Sequence, residues 1–329
     1  MLSHPVIRVD ATHPCLTTTV RRQKEGRMPT TKMAKLAINP LPWILSQASG
    51  FQNTVANSER ALSELAPLGY RALSLNVPED ADEETLQEQL ERFDFTVGPG
   101  YYSAHFDDTS QIAAQNDAVR NAAELHARWG VGEMFIASDL NDDRRARPAQ
   151  HSADDVDRTS VIAERLGQLA DIAATFGVTA ALHPHVGSWV ENEDEIRQVL
   201  TEARGSALRF GPDVGHIQWA GGDPAALIRD FRDIVVCTHI KDVHGAHADK
   251  AREAGANYAT ATQTFDVWAE PGRGDVDFDG VFQALGTDFT GWCVVEVDVP
   301  SLPTPRESSE AALSFLVGNG FSADPRQVV

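Results

Sequence analysis

Residues 154–185, DDVDRTSVIAERLGQLADIAATFGVTAALHPH, contain a complete helix-to-strand unit. Apolar side chains recur at helical spacing over 154–176, and Gly177 then stands where a helix C-cap is expected. The apolar run at 178–183 is typical of a buried strand in a parallel sheet. The unit therefore predicts a helix that packs across a strand, with polar side chains directly after that strand.

The same alternation runs from Leu36 towards the C-terminus. Short apolar runs predict eight strands, at residues 36–41, 70–77, 95–103, 133–138, 178–183, 207–213, 234–240 and 292–297. Helical spacing predicts eight helices, at residues 55–68, 82–93, 109–129, 154–176, 191–203, 224–231, 278–285 and 306–317. Gly69 follows a helix as Gly177 does, and Asp223-Pro224 has the pattern of an N-cap and first helical residue. This strand-then-helix order predicts a parallel sheet with helical crossovers.

Eight repeats favour a closed (β/α)8 TIM barrel, a single-domain α/β fold, over an open doubly wound sheet. An open sheet normally carries a Gly-rich phosphate-binding turn after its first strand, whereas this chain has NPLPW at 39–43. We therefore expect no nucleotide cofactor. The length of 329 residues suits one such barrel with short extensions.

The N-terminal segment differs from the rest of the chain. Its first 35 residues carry seven Lys or Arg against two Asp or Glu, and they show no sustained apolar period. We therefore predict a disordered basic extension at 1–34, a barrel at 35–320 and a tail at 321–329. A transit peptide explains this extension, and so does a start codon misassigned upstream of Met28 or Met33; we favour the second explanation.

The charge excludes several classes of partner. The whole chain carries a net charge of −20, and the part after the basic segment carries −25. Phosphate backbones and anionic membranes repel such a surface, so we expect no nucleic-acid partner and no membrane partner. No apolar run is long enough for a membrane span or a secretory signal, and Cys15, Cys237 and Cys293 form neither a CxxC pair nor a disulfide framework. These features predict a cytoplasmic protein.

Polar side chains follow four consecutive predicted strands, where a barrel places its active site. The residues at the ends of strands five to eight are His183 and His185, Asp213, His239 and Lys241, and Glu296. Two imidazoles and two carboxylates suit a divalent transition metal, manganese first, with cobalt, iron, nickel or zinc as alternatives. Each residue alone has a structural explanation, such as a turn at Asp213 or an ion pair between Lys241 and Glu296. Their common position predicts a metal site.

Several segments resemble the characteristic blocks of the xylose-isomerase-like barrel superfamily, the sugar-phosphate isomerase/epimerase group. They are DVGHIQWAGGDP (213–224), THIKDV (238–243), EPGRGDVDF (270–278) and GWCVVEVD (291–298). HPHVGSWVE (183–191) is more similar to the HHHxGT segment of inosose dehydratases, and NPLPW (39–43) and GYYSAHF (100–106) resemble that subgroup's first and third strands more loosely. The resemblance covers residues 36–318 and implies a TIM barrel that acts on small sugars or inositols.

The resemblance also implies roles for individual residues. Asp213, His239 and Glu296 match the family's metal ligands, and His216 matches a residue that faces the substrate. The fourth ligand position is Glu in the isomerases and epimerases but is His183 here. An epimerase commonly has a carboxylate on each face of its substrate, whereas Glu296 is the one obvious carboxylate here. A single base fits elimination better.

The sequence therefore predicts a metal-dependent carbon–oxygen lyase that eliminates water or a β-oxygen substituent from a keto-sugar or keto-inositol. An inosose dehydratase and a 3-keto-glycoside β-eliminase fit equally well. The alternatives are a sugar isomerase or epimerase and, from another class, a non-catalytic metal-dependent sugar-binding protein. A DNA-repair nuclease on the same barrel needs a basic groove, which the charge excludes.

Candidate catalytic residues come from the same strand ends. Glu296 or His185 is the candidate base, and the candidate proton donors are His216, Lys241 and His105. For Lys241, an ion pair with Asp213 or Glu296 is an equal alternative. The candidate substrate-binding residues are Trp43, Tyr101, Tyr102, His105 and Arg273. For the aromatic residues the alternative is packing at the barrel rim, and for Arg273 it is a turn shaped by the flanking glycines.

One connection is unusually long. Residues 242–277 separate the seventh strand from the seventh helix and show no regular pattern. Irregular loops of this length are usually functional, so we expect a lid or a subunit interface, and with it a possible homo-oligomer.

Overall fold

The computed structural model describes residues 33–46, 50–150 and 156–328 of the chain. The predicted basic extension at 1–34, apart from its last two residues, lies outside them, so its nature stays a prediction. Within these ranges no helix is both long enough and apolar enough to cross a membrane.

Eight strands form the barrel, and each lies within or overlaps a predicted strand. They are β1 Lys35–Ile38, β2 Ala72–Ser74, β3 in two parts at Thr96–Gly98 and Tyr101–Ala104, β4 Glu133–Ser138, β5 Thr179–Leu182, β6 Arg209–Phe210, β7 Cys237–Ile240 and β8 Trp292–Val295. The barrel strands pair in parallel, with β1 between β8 and β2, so that Ile38 is in register with Val295 on one side and with Leu73 on the other. The predicted TIM barrel is confirmed.

The regular hydrogen-bonded pairing of strands around the barrel is interrupted at two places, within β3 and between β6 and β7. The first part of β3 pairs with β2 and the second part pairs with β4. Between β6 and β7, isolated parallel bridges join Phe210 to Val235 and Asp213 to His239. Closure thus brings the residues that follow β6 directly beside the end of β7.

The helices lie where helical spacing predicts them. The helices that cover the barrel are α1 Val55–Leu65, α2 Glu83–Phe93, α3 Ile112–Arg128, α4 Val156–Ala174, α5 Glu193–Glu202, α6 Pro224–Asp230, α7 Phe278–Leu285 and α8 Pro305–Gly318. Shorter helices are present at Leu41–Ile44, Asp142–Ala146, Val214–Trp219, Gly245–Glu253 and Tyr258–Gln263. Asp223 caps α6 by accepting a hydrogen bond from the backbone N–H of Ala226 at 2.9 Å, as its sequence predicts. Gly69 and Gly177 have the left-handed backbone conformation expected of C-cap glycines.

Small side chains fill the inside of the barrel around two large ones. Ala37, Ala72, Ala181 and Val294 form one buried cluster with the Phe135 and Trp292 rings. A larger apolar core lies between the strands and the helices. Because side chains close the interior in this way, the space available for a ligand is at the carboxyl ends of the strands.

The prediction that residues 242–277 are irregular is wrong. This segment contains helices Gly245–Glu253 and Tyr258–Gln263, and Asp242–Val243 pairs antiparallel with Trp268–Ala269. The first helix buries only Ala248 and Ala251, which give a weak hydrophobic pattern. The role of the segment as a lid or an interface stays a prediction.

Part of the predicted C-terminal tail packs against the barrel. Phe321 is buried, and Arg326 donates a hydrogen bond to the carboxylate of Asp94 at 2.7 Å. Residues 321–328 therefore extend the folded unit beyond the predicted end of the barrel at 320.

The break in β3 at Gly100 gives a test of this architecture. A Cβ at Gly100 would lie 2.4 Å from the carbonyl oxygen of Leu75, whereas a Cβ at Gly132 would meet no atom within 4 Å. We expect Gly100→Ala to lower the free energy of unfolding by about 1–3 kcal/mol, as overpacking does. Gly132→Ala, the control, should leave it unchanged or raise it slightly. Urea unfolding measures both, and equal stabilities would contradict the packing described for β3.

Candidate active site

A cavity of about 750 Å³ opens at the carboxyl ends of the strands. The residues on or directly after the strands that line it include Asn39, Ser74, Tyr101, Ser138, His183, His239 and Glu296. Pockets of this size, which combine apolar walls with a few convergent polar groups, are typical ligand sites. The cavity is therefore the candidate active site.

Three of the predicted metal ligands meet around one carboxylate oxygen. Oδ2 of Asp213 lies 3.8 Å from Nε2 of His183 and 3.6 Å from Nδ1 of His239. The other oxygen of Asp213 accepts a hydrogen bond from the backbone N–H of His216 at 2.9 Å and caps the helix Val214–Trp219. This cap fixes the carboxylate so that Oδ2 points at both imidazoles.

Glu296, the fourth predicted ligand, joins the same cluster. Its Oε2 lies 3.4 Å from Nδ1 of His239 and accepts a hydrogen bond from the side-chain amide of Asn39. Burial opposes a charge on His239, but Glu296 and Asp213 outweigh it and raise the pKa of His239 to about 9. The negative potential that attracts a proton to this imidazole equally attracts a cation.

The donor atoms of the cluster fit a divalent metal. Among the described residues, Nδ1 of His239 and Oδ2 of Asp213 face each other at 3.6 Å, are buried and make no hydrogen bond. Imidazole nitrogens and carboxylate oxygens are ligands for manganese, iron, cobalt, nickel and zinc alike, so the residues do not select one of these metals.

Lys241 holds the carboxylates of the site together. Its buried ammonium lies 2.6 Å from Oε1 of Glu296, 2.9 Å from Oδ1 of Asp298 and 3.3 Å from Oδ2 of Asp213. Burial opposes its charge, but the three carboxylates outweigh this effect and raise the pKa of Lys241. Lys241 is fully buried and does not line the cavity, so its position fits the ion-pairing alternative.

Space for Lys241 depends on a neighbouring glycine. A Cβ at Gly215 would lie 2.7 Å from Cγ of Lys241. The sequence DVGH at 213–216 therefore provides both the carboxylate and the room for its cationic partner.

A second histidine pair lies beside the cluster, and the backbone of Val186 orients both rings. Nδ1 of His185 donates to the carbonyl oxygen of Val186 at 2.8 Å, while the N–H of Val186 donates to Nδ1 of His216 at 3.2 Å. Nε2 of His185 is therefore the ring nitrogen without a proton, and burial lowers the pKa of His185 to about 4. His185 lines the cavity, whereas His216 is fully buried and does not.

His185, His216 and Asp298 form a second group whose ligand atoms lie within 4.8 Å of one another. The ammonium of Lys241 already lies among them, at 3.2 Å from Nε2 of His216. A cation therefore fits better between His183, Asp213 and His239 than in this second group.

Some of the predicted substrate-binding residues do not reach the cavity. Tyr101 lines it, but Tyr102 points the other way along the strand and packs against Phe106. Trp43 is buried beside cavity-lining neighbours in the helix Leu41–Ile44 and does not itself line the cavity.

His105 and Arg273 also lie outside the cavity. His105 is exposed, 4.0 Å from the carboxylate of Asp139. The carboxylate of Asp242 accepts hydrogen bonds from the backbone N–H groups of Gly272 and Gly274, at 2.9 and 2.8 Å. This turn directs Arg273 to a separate surface depression, so the turn explanation for its flanking glycines is the better one.

Other cavity residues were not predicted from the sequence as site residues. Asp298, Tyr258 and Trp268 line the cavity, and so do Ser74 and Ser138, whose hydroxyl oxygens are buried. Among the described residues neither hydroxyl has a hydrogen-bond partner. Ser74 and Ser138 lie at the carboxyl ends of β2 and β4, where a barrel places its active site. The sequence could therefore have identified them by the rule that identified His183 and Glu296.

The barrel and the polar cluster at its rim define the class of protein. The chain belongs to the xylose isomerase-like TIM barrel family, whose profile matches residues 62–317. It is similar to the inosose dehydratase of Geobacillus kaustophilus (strain HTA426), with 23% identity over 295 residues that cover 87% of this chain and 95% of that protein.

Solved structures of other proteins share the fold. A structure of L-ribulose 3-epimerase matches with a TM-score of 0.63 at 15% identity and covers 87% of this chain and 94% of that one. The IOLI protein, solved with a binding zinc atom, matches with a TM-score of 0.62 at 17% identity and covers 87% and 98%. The relatives are thus a dehydratase, an epimerase and a zinc-binding protein on one barrel.

Metal content tests the cluster. We expect the wild-type protein to bind about one Mn²⁺ per chain, because the potential ligand atoms of His183, Asp213 and His239 lie within 4.8 Å of one another and Glu296 lies beside His239. His239→Ala and Glu296→Gln should each weaken binding by about tenfold or more, because each removes a donor atom. Equilibrium dialysis with mass-spectrometric metal analysis gives the affinities.

His247, on the outer helix Gly245–Glu253, provides the control for the loss of an imidazole. His247→Ala should bind metal as the wild type does. Equal metal affinity in His239→Ala and the wild type would show that this cluster is not the metal site.

Proposed function

We propose that the chain is a metal-dependent carbon–oxygen lyase that eliminates water or a β-oxygen substituent from a keto-sugar or keto-inositol. The observation that carries this proposal is the shared position of Glu296 and Asp298, the two cavity-lining carboxylates that pair with Lys241. Glu296 and Asp298 both bind the ammonium of Lys241, at 2.6 and 2.9 Å, so they belong to one wall. Epimerisation by two bases needs a base on each face of the substrate, whereas elimination needs only one.

His183, Asp213, His239 and Glu296 would hold the metal. When bound, a divalent metal supplies a Lewis acid that polarises a substrate carbonyl and stabilises the negative charge that develops on it. Manganese is our first choice of metal, and cobalt, iron, nickel or zinc fit the same donor atoms.

His185 is the base in this proposal, because its hydrogen bond to Val186 leaves the other ring nitrogen free. Its Nδ1 is committed to the carbonyl of Val186, so the lone pair on Nε2 is available to take the proton next to the substrate carbonyl. Both oxygens of Glu296 are already engaged, one by Lys241 and one by Asn39. Glu296 therefore acts first as a ligand in this proposal.

Asp298 connects the buried cation with the cavity. It lines the cavity and accepts a hydrogen bond from Lys241 at 2.9 Å, whereas Lys241 itself is fully buried. A proton for the departing oxygen would therefore pass through Asp298 rather than come directly from Lys241 or His216. In this role Lys241 is a positioning residue that orients Asp213, Glu296 and Asp298.

The similarity to L-ribulose 3-epimerase supports a second candidate, a sugar epimerase or isomerase. Such an enzyme returns a product of unchanged mass, whereas a dehydratase forms a product that is lighter by one water and carries a conjugated enone or enediol. A non-catalytic sugar-binding protein would bind the sugar without any turnover.

A substrate panel tests the proposal. Mn²⁺-loaded protein should convert an inosose or a 3-keto-glucoside into a lighter product with new ultraviolet absorbance, and a chelator should abolish the reaction. Mass spectrometry and absorbance follow both products. Activity that persists without metal, or products of unchanged mass throughout the panel, would contradict a metal-dependent lyase.

A further inference from the structure

Exposed apolar side chains gather at the mouth of the cavity. The structure has nine large exposed apolar side chains among its described residues, and four of them line this one cavity. These four, the apolar mouth, are Leu45, Phe51, Tyr101 and Leu140, with exposed fractions of 41%, 49%, 43% and 37%. Such a concentration at a binding cavity marks a surface that contacts a ligand or a partner.

The apolar mouth is built on three different elements. Leu45 and Phe51 face each other across a short antiparallel pair after β1, Tyr101 begins the second part of β3, and Leu140 follows β4. Tyr101 also contacts the ring of His183 edge to face, with 5.2 Å between the ring centroids. The mouth is therefore continuous with the predicted metal cluster.

The cavity is larger than one sugar ring requires. Cavities of about 300–1,000 Å³ typically enclose drug-sized ligands, and this one has about 750 Å³. Its buried end is polar, with His183, His239 and Glu296. Its mouth carries the four apolar side chains together with the exposed polar residues Asn76, Arg145 and Gln263. A free inositol or hexose is polar all round and would leave those apolar side chains in water.

From this division of the cavity we infer that the substrate is a keto-glycoside whose apolar aglycone occupies the mouth. The inference rests on the proposed lyase function and selects one form of it, a β-eliminase of 3-keto-glycosides rather than a dehydratase of free inososes. The keto-sugar ring occupies the polar end and the aglycone contacts Leu45, Phe51, Tyr101 and Leu140. Burial of apolar aglycone surface there contributes binding energy that a water leaving group cannot provide.

The reaction balances without a redox partner. The base removes the proton from C2, next to the C3 ketone, and this electron pair becomes the C1–C2 double bond as the C1–O bond breaks. The aglycone oxygen departs with the electrons of that bond and takes up a proton. The products are a 1,2-unsaturated 3-keto-sugar and the free aglycone alcohol.

The test uses two substrates that differ in apolar surface but not in leaving-group chemistry. They are the 3-keto-β-D-glucosides of methanol and of 3-phenylpropanol, which both lose a primary alkoxide. For Mn²⁺-loaded wild-type protein we expect kcat/KM to be about tenfold or more higher for the phenylpropyl glycoside. Ultraviolet absorbance of the unsaturated product gives the rates.

Variants then localise the preference. Leu45→Ser/Phe51→Ser should bring the ratio of the two kcat/KM values close to one, because it removes half of the apolar mouth. Ile112→Ser/Val317→Ser is the matched control, since Ile112 and Val317 are also 41% and 49% exposed but lie outside the cavity. The control should retain the wild-type ratio.

The outcomes separate this inference from the proposed function. Equal rates for the two glycosides, or turnover of inososes alone, would overturn the inference and leave the lyase in place. No elimination from any substrate by metal-loaded protein would overturn both. If the mouth instead binds a second copy of the chain, light scattering will show a wild-type dimer that the Leu45→Ser/Phe51→Ser variant dissociates, with no aglycone preference, and the inference fails.

Discussion

The buried ammonium of Lys241 is the interaction on which the site depends. Lys241 follows β7, which lies between β6 and β8 in the barrel. Its ammonium binds Asp213, which follows β6, and it also binds Glu296 and Asp298, which follow β8. Three buried carboxylates without this cation would repel one another, and removing one partner of a buried ion pair typically costs about 3–5 kcal/mol. Gly215, which follows β6, has no side chain and so leaves space for the side chain of Lys241, which follows β7. The position of the cation therefore depends on the sequence after the preceding strand.

Sequence reasoning predicted the barrel and its rim because both depend on strand order. The alternation of strands and helices placed His183, Asp213, His239 and Glu296 at one end of the sheet, and the structure brings them together. Which neighbouring side chains enter the cavity depends on backbone direction within a few residues. Tyr102 points away from the cavity that Tyr101 lines, and the hydrogen bonds of Asp242 turn Arg273 outward. Such details follow from tertiary contacts, which the pattern of residue types does not contain.

The same arrangement supports the one-sided chemistry that we propose. Glu296 and Asp298 share one cation and therefore one wall, while His185 keeps a free nitrogen because the peptide of Val186 fixes its tautomer. The imidazole of His183 stands at the position where the resemblance to the isomerases implies a carboxylate. A ligand imidazole has no proton-accepting nitrogen to offer while it binds metal, so the proposed chemistry needs only the one free base.

Electron spin-echo envelope modulation of the Mn²⁺-loaded protein tests the central claim most directly, because it detects nitrogen atoms bound to the metal. We predict modulation from two histidine nitrogens, those of His183 and His239, and loss of one of them in His239→Ala. A wild-type spectrum without histidine nitrogen, or one that His239→Ala leaves unchanged, would contradict the claim that the ends of these strands form a metal site.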